Sequence, residues 1–508
     1  MKNFITFLPL YFLTVLMTAQ PSIEWQRSLG GSGDDRAYSI DATNDGGYIV
    51  AATAGSIDGD LAGNTNDGFW LIKLNEMGDI QWQKVFYSDS IGSANAIRQT
   101  NDGGFIVTGV GTAIVAGSPV CCNYWVAKFN ESGNLEWTKS LGGSADDKAY
   151  DIKQTIEGGY IIAGISYSLD GDVTNAHGDA DCWIVKTSAN GTIEWEKSLG
   201  GSEVDYAYSI LQASDGSYTL AGRTGSTDGD VIDNSNAGAC WVVNLDSIGT
   251  IQWQKVLHTG LNGVETGNSI QQTSDDGYII AGYSVKQNSS DTDFWAIKLD
   301  DSLAIQWERS LGGTAFDYGY SICQTDDQAY VLTGVTRSNN GDVTGSHGER
   351  DAWIVKLSNA GEINWQRTIG GSYDDIAFSI QQTIDGGFTI AGLTGSNDGD
   401  VSGNHGLFDA WVVKLSSETN SVLDHSSNAS GYFDIYPNPA QNKVFLNMPS
   451  EEPTFTIQLL DTQGRQITQQ IITNGESLDV STLSNGIYAI VATTLSGKIY
   501  SNKLTITK

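Results

Sequence analysis

The segment that decides the fold runs from Cys182-Trp-Ile-Val-Lys186 through a turn at Asn190-Gly191 to Ile193-Glu-Trp-Glu-Lys197. Two alternating apolar runs separated by Asn-Gly predict a β-hairpin, because Gly adopts the positive φ that such a tight turn requires. The two tryptophans are 12 residues apart, and this spacing recurs along the chain. A hairpin that tolerates no insertion predicts two large rings packed in a fixed register.

The fourteen tryptophans form two interleaved series with the same steps of 55, 58, 58, 54, 58 and 58 residues. One series is Trp25, Trp82, Trp137, Trp195, Trp253, Trp307 and Trp365, and the other is Trp70, Trp125, Trp183, Trp241, Trp295, Trp353 and Trp411. Two further strand-like segments precede each hairpin, as at residues 149–155 and 160–164. Four antiparallel strands repeated seven times predict an all-β fold, a seven-bladed β-propeller whose blades pack on their neighbours.

The two ends of the repeat array predict how the ring closes. The array begins with an isolated fourth strand, Ile23-Glu-Trp-Gln-Arg-Ser-Leu29, and ends on a third strand, Trp411-Val-Val-Lys-Leu415. We therefore predict that the N-terminal strand completes the last blade. The motifs Asp-Gly-Gly-Tyr-Ile, Asp-x-Trp-x-Val-Lys and Gly-x-Ile-x-Trp resemble seven-bladed propeller repeats of secreted bacterial proteins over residues 23–415. That resemblance implies a fold and leaves the function open, since propellers host enzymes, lectins and scaffolds.

Composition restricts the partners of the chain. Asp and Glu outnumber Lys and Arg by 60 to 27, which gives a net charge of −33. We expect no nucleic-acid partner and no binding to anionic membranes, because both attract Lys and Arg. The five cysteines are too few for a disulfide scaffold, and Cys182 and Cys240, each before a Trp, are predicted to be core residues.

The N-terminus predicts export from the cytoplasm. Lys2 is followed by a mostly apolar run over residues 4–17 and by the small residues Thr18-Ala19. This pattern predicts a signal peptide over residues 1–19, too short for an ordinary membrane span. Nothing later is apolar for 18 residues, so we expect no transmembrane segment in the mature chain.

A second domain follows the propeller in the sequence. We assign the propeller to residues 20–415 and a Ser-rich, flexible linker to residues 416–430. In residues 431–508 the charge is nearly balanced, with six acidic and five basic side chains. Alternating apolar residues, as at 455–460 and 487–491, predict a small immunoglobulin-like β-sandwich there.

Four motifs of this second domain carry a specific resemblance. They are Ile435-Tyr-Pro-Asn-Pro439, Leu460-Asp-Thr-Gln-Gly-Arg465, Leu478-Asp-Val-Ser-Thr-Leu-Ser-Asn-Gly-Ile-Tyr488 and Lys503-Leu-Thr-Ile-Thr-Lys508. Their order and spacing resemble the type A (Por) C-terminal sorting domain of the type IX secretion system in Bacteroidota-type bacteria. The resemblance implies export through the outer membrane of a Gram-negative cell, removal of the domain, and surface attachment or release. It also implies that the secretion machinery reads the motif residues, which are Pro437, Asn438, Pro439, Gly464, Arg465, Gly486, Tyr488 and Lys508.

A propeller would bring two sets of loops to one face. We call this side, with the inter-blade loops and the loops from second to third strands, the loop face; the hairpin turns form the opposite turn face. The candidate ligand residues on the loop face are Asp60, Asp172, Asp230, Asp342, Asp400, His177, His347 and His405. Asp oxygens in Gly-rich loops suit Ca²⁺, and the candidate calcium residues are Asp58, Asp60, Asp170, Asp172, Asp228, Asp230, Asp398 and Asp400. Recurrence in most blades favours a structural role, in which the carboxylates accept backbone N–H bonds in turns.

The three histidines and two irregular blades are the other candidates for function. Each His precedes an Asp by four residues, and the partners are Asp181, Asp351 and Asp409. Such a pair could bind a transition metal, but loop capping fits three separate blades better. The second and fifth blades are short and lack the Gly-Asp loop. This break in the repeat is a candidate position for ligand binding.

Catalytic signatures are missing from the sequence. We find no Gly-x-Ser-x-Gly elbow, no His-Glu-x-x-His motif and no phosphate loop. The sequence therefore favours a monomeric, surface-displayed binding or adhesion propeller with an unidentified glycan or protein ligand. The alternatives are a secreted carbohydrate-active enzyme with carboxylates at the propeller mouth, and a passive structural surface protein.

Overall fold

The structure is a computed structural model that describes most of the chain. The described residues are 20–63, 68–86, 91–115, 118–234, 238–258, 263–285, 291–418, 429–438, 440–447, 454–460, 466–473, 476–483, 486–494 and 499–506. The predicted signal peptide, residues 1–19, lies outside them, as does most of the predicted linker. Residues 22–416 form one compact unit, and the residues from 417 onward belong to a second.

The first unit consists of seven four-stranded antiparallel sheets. Blades 1 to 3 contain β2 (Arg36–Ala42), β3 (Tyr48–Ala54), β4 (Gly68–Leu74) and β5 (Ile80–Phe86); β6 (Ile91–Gln99), β7 (Phe105–Val115), β8 (Ser118–Phe129) and β9 (Leu135–Leu141); and β10 (Asp147–Gln154), β11 (Tyr160–Ser166), β12 (Asp181–Thr187) and β13 (Ile193–Leu199). Blades 4 and 5 contain β14 (Asp205–Gln212), β15 (Tyr218–Thr224), β16 (Ala239–Leu245) and β17 (Ile251–Leu257); and β18 (Val264–Gln272), β19 (Tyr278–Val285), β20 (Thr292–Leu299) and β21 (Ile305–Leu311). Blades 6 and 7 contain β22 (Asp317–Gln324), β23 (Tyr330–Thr336), β24 (Asp351–Leu357) and β25 (Ile363–Ile369); and β26 (Asp375–Gln382), β27 (Phe388–Thr394), β28 (Asp409–Leu415) and β1 (Ile23–Leu29).

The N-terminal strand closes the ring, as the sequence predicts. β1 pairs antiparallel with β28, with Gln26 opposite Val413 and Ser28 opposite Trp411. The first strands of successive blades contact one another, and β26 of the last blade contacts β2 of the first. These strands therefore line the axis of a closed seven-bladed β-propeller.

The 12-residue spacing predicts that the two tryptophan rings of a hairpin pack together, but in the structure each ring has a different partner. Trp183 lies opposite Ser198, and Trp195 lies opposite Lys186, so the two rings of one hairpin are not paired. Five of the seven third-strand tryptophans donate an indole N–H to the residue 13 positions later, as Trp183 does to Glu196 at 2.8 Å, and Trp411 donates to Gln26 of the closing strand β1. All seven fourth-strand tryptophans pack on the aromatic ring that begins the second strand of the next blade. The 12-residue spacing thus serves an indole hydrogen bond and a contact between blades.

A β-bulge interrupts the first strand of every blade. In β2 the pairing passes from Ala37 to Ser39, so Tyr38 is the extra residue. The bulge residues are Tyr38, Asn95, Tyr150, Tyr208, Asn268, Tyr320 and Phe378. Because a bulge re-aims its side chain, the ring axis gains five aromatic rings.

The second unit is a small β-sandwich. One sheet has the order β29 (Ala429–Tyr432), β36 (Ile499–Ile506), β35 (Gly486–Thr494), β32 (Thr454–Leu460) and β33 (Gln466–Thr473). The other consists of β30 (Asp434–Tyr436), β31 (Lys443–Asn447) and β34 (Ser477–Asp479). Phe433, Val444, Phe455, Ile490 and Leu504 are buried in its core.

Candidate functional site

The Asp-Gly-Asp segments and the inter-blade loops meet on the loop face. Asp58 Oδ1 accepts the N–H of Ser32 at 2.7 Å, and Asp60 Oδ2 accepts the N–H of Gly30 at 3.1 Å. Equivalent bonds to an acceptor at the first position recur in blades 3, 4, 6 and 7, at Asp170, Asp228, Asn340 and Asp398. The backbone N–H of Ser32, and then its hydroxyl, lower the pKa of Asp58. These aspartates fasten one blade to the inter-blade loop that precedes it.

The three histidines lie over the boundary to the next blade. The backbone N–H groups of His347 and His405 donate to Asp351 and Asp409 at 2.7 and 3.1 Å, and His177 bonds Asp181 in the same way. His405 Nδ1 lies 2.7 Å from Asp409 Oδ2. These contacts are what a loop-capping residue makes. Among the residues that the structure describes, no group of three or more His, Cys, Asp or Glu side chains could hold a metal ion. The calcium site stays a prediction.

Buried acids pair across most blade boundaries. Asp351 and Asp375 are both fully buried, and a Cβ atom at Gly370 would lie 2.6 Å from Asp351 Oδ1 and 2.7 Å from Asp375 Oδ2. Glycine is therefore required between the two carboxyl groups. The other pairs of this kind are Asp409 with Asp35, Asp181 with Asp205, and Asp293 with Asp317.

The remaining three boundaries show what such a pair needs. Asn123 stands beside Asp147 between blades 2 and 3. Between blades 4 and 5 the first acid is replaced by Ala239, and His258 Nδ1 lies 3.7 Å from Glu265 Oε2. Between blades 1 and 2 both positions are Gly. An amide or an imidazole can donate to a carboxylate, whereas a second carboxyl group can do so only while it is protonated. Burial raises the pKa of Asp181 and of Asp375 to about 6.

Aromatic rings gather where the first strands begin, at the loop-face end of the ring axis. Phe316, Tyr318 and Phe408 pack with the bulge residues Tyr320 and Phe378 around a small buried apolar group. On the blade 4 side, the ring of Tyr206 stacks on that of Tyr208 at 5.3 Å. The second residue of a first strand thus joins the bulge residue, which lies two positions later.

Four arginines surround these rings. Arg36 lies over the ring of Phe408 at 5.5 Å, and Arg350 and Arg337 lie over the ring of Phe316 at 5.5 and 5.8 Å. Arg223 pairs in register with Tyr206. We call the eight residues the mouth cluster: Arg36, Arg223, Arg337, Arg350, Tyr206, Phe316, Tyr318 and Phe408.

Two of the four arginines of the mouth cluster form ion pairs with carboxylates. Arg36 pairs with Asp34 at 2.6 Å, and Arg350 contacts Asp374 at 3.4 Å. Within the described part of the chain, Arg223 and Arg337 have no carboxylate within 4 Å. In a chain with 60 acidic and 27 basic residues, two such arginines beside half-buried rings form a distinct cationic surface.

The sequence analysis considered acids and histidines of the loop face as ligand residues and did not consider the mouth cluster. A signal was present: the second residue of the first strand changes from blade to blade while its neighbours are constant. It is Arg36, Lys148, Tyr206, Tyr318 or Ile376 in five of the blades. What the sequence could not show is that ring closure brings Arg36 of the first blade over Phe408 of the last.

The structure describes only half of the predicted sorting residues. Pro437 and Asn438 follow β30, Gly486 begins β35, and Tyr488 packs half-buried against the sandwich core. Pro439, Gly464, Arg465 and Lys508 lie outside the described residues.

Comparison with known proteins identifies the second domain. Residues 434–507 match the family model of the secretion system C-terminal sorting domain. No curated protein matches the chain. No helix in the described residues has both the length and the apolar character to span a membrane.

Several solved structures are similar to the chain at low identity. The extracellular domain of a hybrid two-component system from B. thetaiotaomicron is 10% identical, with 93% of this chain and 69% of that chain covered and a TM-score of 0.26. A protein of a family of unknown function from Bacteroides vulgatus is 8% identical, with 79% and 98% covered and a TM-score of 0.35. Puromycin hydrolase is 10% identical, with 90% and 58% covered and a TM-score of 0.44. The fold of this chain follows from its own strand pairing.

The fold and the sorting domain together define the class of protein. Residues 22–416 of the chain form a seven-bladed β-propeller built from a sequence repeat. The chain carries a C-terminal sorting domain of the type IX secretion system, and this domain directs it out of the cell or onto the outer cell surface.

Proposed function

We propose that the chain is a surface-delivered binding protein whose ligand contacts the mouth cluster. The observation that carries the proposal is the gathering of four arginines and four aromatic rings at one end of the axis of an acidic propeller. Arg and aromatic side chains dominate binding hot spots, because they offer large contact areas and several donors at a small entropic cost. A guanidinium held over a ring keeps N–H donors free for a partner.

The free charges of the mouth cluster favour an acidic glycan as the ligand. Arg223 and Arg337 lack a carboxylate partner among the described residues. The fork of a guanidinium matches a carboxylate or sulfate group in two parallel hydrogen bonds. Half-buried Tyr206, Tyr318 and Phe408 provide flat apolar faces beside these donors for the C–H face of a sugar ring.

The acidic loops around the mouth leave room for a calcium-dependent mode of binding. The loops from second to third strands carry Asp60, Asp172, Asp230, Asp342 and Asp400. The proposal of calcium there rests on the carboxylate oxygens of these residues alone. We propose that the ring is monomeric and binds this ligand at the loop-face end of its axis. We propose no catalytic group, because the mouth cluster contains no pair of carboxylates that could flank a bond to be cleaved.

Binding of the full chain to immobilised polygalacturonate, chondroitin sulfate and neutral dextran tests this function. We expect binding to the two acidic polymers only, measured with calcium and again with chelator. The double variant Arg223→Gln/Arg337→Gln should lose at least about tenfold in affinity. Arg27→Gln/Arg309→Gln is the matched control, because it removes the same two charges from outer strands, where Arg27 pairs with Asp79 and Arg309 with Glu362. Equal binding to dextran, or none to any polymer, would contradict the acidic-glycan function and leave the passive structural role.

A further inference from the structure

A cavity of about 400 Å³ lies at the other end of the ring axis, toward the turn face. Its walls come from the first strands of the blades, after the bulge in each strand. Most of the wall repeats the same residue types from blade to blade, with Ser209, Ser269, Ser321 and Ser379 at one level. This size is within the range of small-molecule sites in proteins.

Hydrogen bonds between neighbouring blades occupy acceptor atoms of this wall. Side-chain oxygens of one blade accept a backbone N–H of the next blade. These bonds link first strands that belong to separate sheets and therefore do not pair through their backbones. The bonds run to Ser209 Oγ from Ile270 at 3.4 Å, to Ser269 Oγ from Ile322 at 3.4 Å, to Ser321 Oγ from Ile380 at 3.4 Å, to Gln271 Oε1 from Gln324 at 2.6 Å, and to Gln381 Oε1 from Ala42 at 2.9 Å.

What remains on the wall is a set of donors. The O–H of Ser209 donates to Asp151 at 3.3 Å, but Ser269, Ser321 and Ser379 still have an O–H to donate, and a glutamine whose Oε1 is used still has its NH₂ group. The cavity is therefore rich in hydrogen-bond donors. A ligand that satisfies it must bring acceptors.

One side of the cavity also carries two cationic side chains, Arg98 and Lys153, beside two acids, Asp41 and Asp151. Arg98 Nη2 and Lys153 Nζ lie 3.2 and 3.4 Å from the same oxygen of Asp151. Asp151 is 5% exposed, and its oxygens also accept the N–H groups of Ile152 and Ile210 at 2.9 and 3.1 Å. Asp41, the other acid on the wall, accepts the N–H of Gln99 at 2.8 Å. Both acids are thus engaged by the ring. Arg98 Nη1 donates to Ser39 Oγ and to the carbonyl of Ile97, which leaves the Nε–H of Arg98 and the ammonium group of Lys153 as donors for a ligand.

The repeat itself shows that the fold does not need these charges. At the level of Asp151 most other blades carry Ser, and at the level of Lys153 they carry Leu211, Gln271, Cys323 and Gln381. Those blades close the ring with neutral side chains. Burial, and then repulsion from Arg98, lower the pKa of Lys153, so this ammonium group costs stability that a neutral residue would not.

We propose that this cavity is a second binding site, for a small carboxylate anion that bonds Arg98, Lys153 and the hydroxyl and amide donors of the ring. The carboxylate supplies acceptors for the remaining donors and bonds Arg98 and Lys153, while Asp151 and Asp41 also accept backbone N–H groups of the ring. The site lies at the opposite end of the axis from the mouth cluster and does not depend on the proposed function of that cluster.

The chain offers its own neutral version of the site for the test. The triple variant Arg98→Gln/Asp151→Ser/Lys153→Gln puts at these positions residue types that other blades already hold there. Citrate and succinate are titrated calorimetrically into the full chain, with glucose and inorganic phosphate as comparison probes. We expect at least one of the carboxylates to bind and to raise the melting temperature, and the triple variant to fold with at least about tenfold weaker binding.

Two controls keep the outcome clear. Lys148→Gln removes a cation from the other end of β10 and should leave carboxylate binding unchanged, as should Arg309→Gln on an outer strand. If the triple variant fails to fold, Lys153→Gln alone must show the loss of affinity. Binding of phosphate alone, binding of no carboxylate, or equal binding by the folded variants would overturn the proposal.

Discussion

At the scale of single residues, the buried acids at the blade boundaries govern the response of the ring to pH. Asp375 lies beside Asp351, accepts bonds from Ser396 and from the backbone of Gly371, and has its pKa raised to about 6 by burial. A carboxyl group with a raised pKa stabilises the fold fully below its unfolded pKa, near 4, and loses that contribution as the pH rises through 6. The ring should therefore be less stable at pH 8 than at pH 5.

Asp351→Asn should reduce this loss. The change reproduces the chain's own Asn123 beside Asp147, removes the repulsion that Asp351 exerts on Asp375, and gives Asp375 an amide donor. We expect the variant to gain about 1–2 kcal/mol over the parent at pH 8 and to gain little at pH 5. Denaturant unfolding at the two pH values measures the difference, and an equal change at both would contradict the role of the pair.

Asp45→Asn is the contrasting control. Burial alone would raise the pKa of Asp45, but hydrogen bonds from Thr43, Lys73 and Gly47 lower it to about 2. Its contribution is therefore present above pH 4 and lost as the pH falls toward 2. Asp45→Asn should destabilise the ring at pH 5 and pH 8 alike.

At the scale of strands and blades, the sequence predicts almost everything that depends on neighbours along the chain. The two Trp series locate the repeats, the Asn-Gly and Asp-Gly turns locate the hairpins, and the isolated first strand predicts the closure by β1. The bulge at Tyr38 was not predicted, because a bulge exists only relative to the pairing of the strand beside it. The partner of Trp195 was missed for a similar reason, since its indole packs on Tyr218 of the next blade.

An engineered disulfide can measure what the closure of the ring contributes. Arg27 and Val412 are Cα partners in the pairing of β1 with β28. Cysteines at both positions would close a loop of nearly the whole propeller, and a cross-link stabilises more when the loop it closes is longer. We expect a higher melting temperature in the oxidised than in the reduced form.

The chain provides a matched cross-link for comparison. Val242 and Lys255 are the equivalent partners in blade 4, where the two strands already form a hairpin. Oxidation of cysteines at this pair should raise the melting temperature less. An equal or smaller gain at the Arg27 and Val412 pair would show that β1 does not hold the ends of the ring together.

At the scale of the whole molecule, the mouth cluster is the part of the site that no segment of sequence could reveal. Arg36 comes from blade 1, Phe408 from the loop before the third strand of blade 7, and Phe316 from the loop before blade 6. Their contacts exist because seven sheets close into one ring. The acids and histidines were found from the sequence because each acts within its own loop or on the next one.

Delivery and the proposed binding belong to separate units of the molecule. Residues 434–507 match the sorting domain, and residues 22–416 form a compact unit of their own. Deletion of residues 431–508 should therefore leave a folded propeller that accumulates in the periplasm instead of reaching the cell surface. Fractionation with antibody detection of the propeller measures this, and undiminished surface propeller in the deletion strain would contradict the role of the domain.

Hydrogen–deuterium exchange of the full chain with and without polygalacturonate tests the central claim most directly. We expect the polymer to slow exchange in the peptides that cover the mouth cluster, around Arg36, Tyr206, Arg223, Phe316 and Arg337. The turn-face hairpins should exchange at unchanged rates. Protection confined to the turn face or to the outer strands, or no protection anywhere, would contradict a binding site at the loop-face end of the ring.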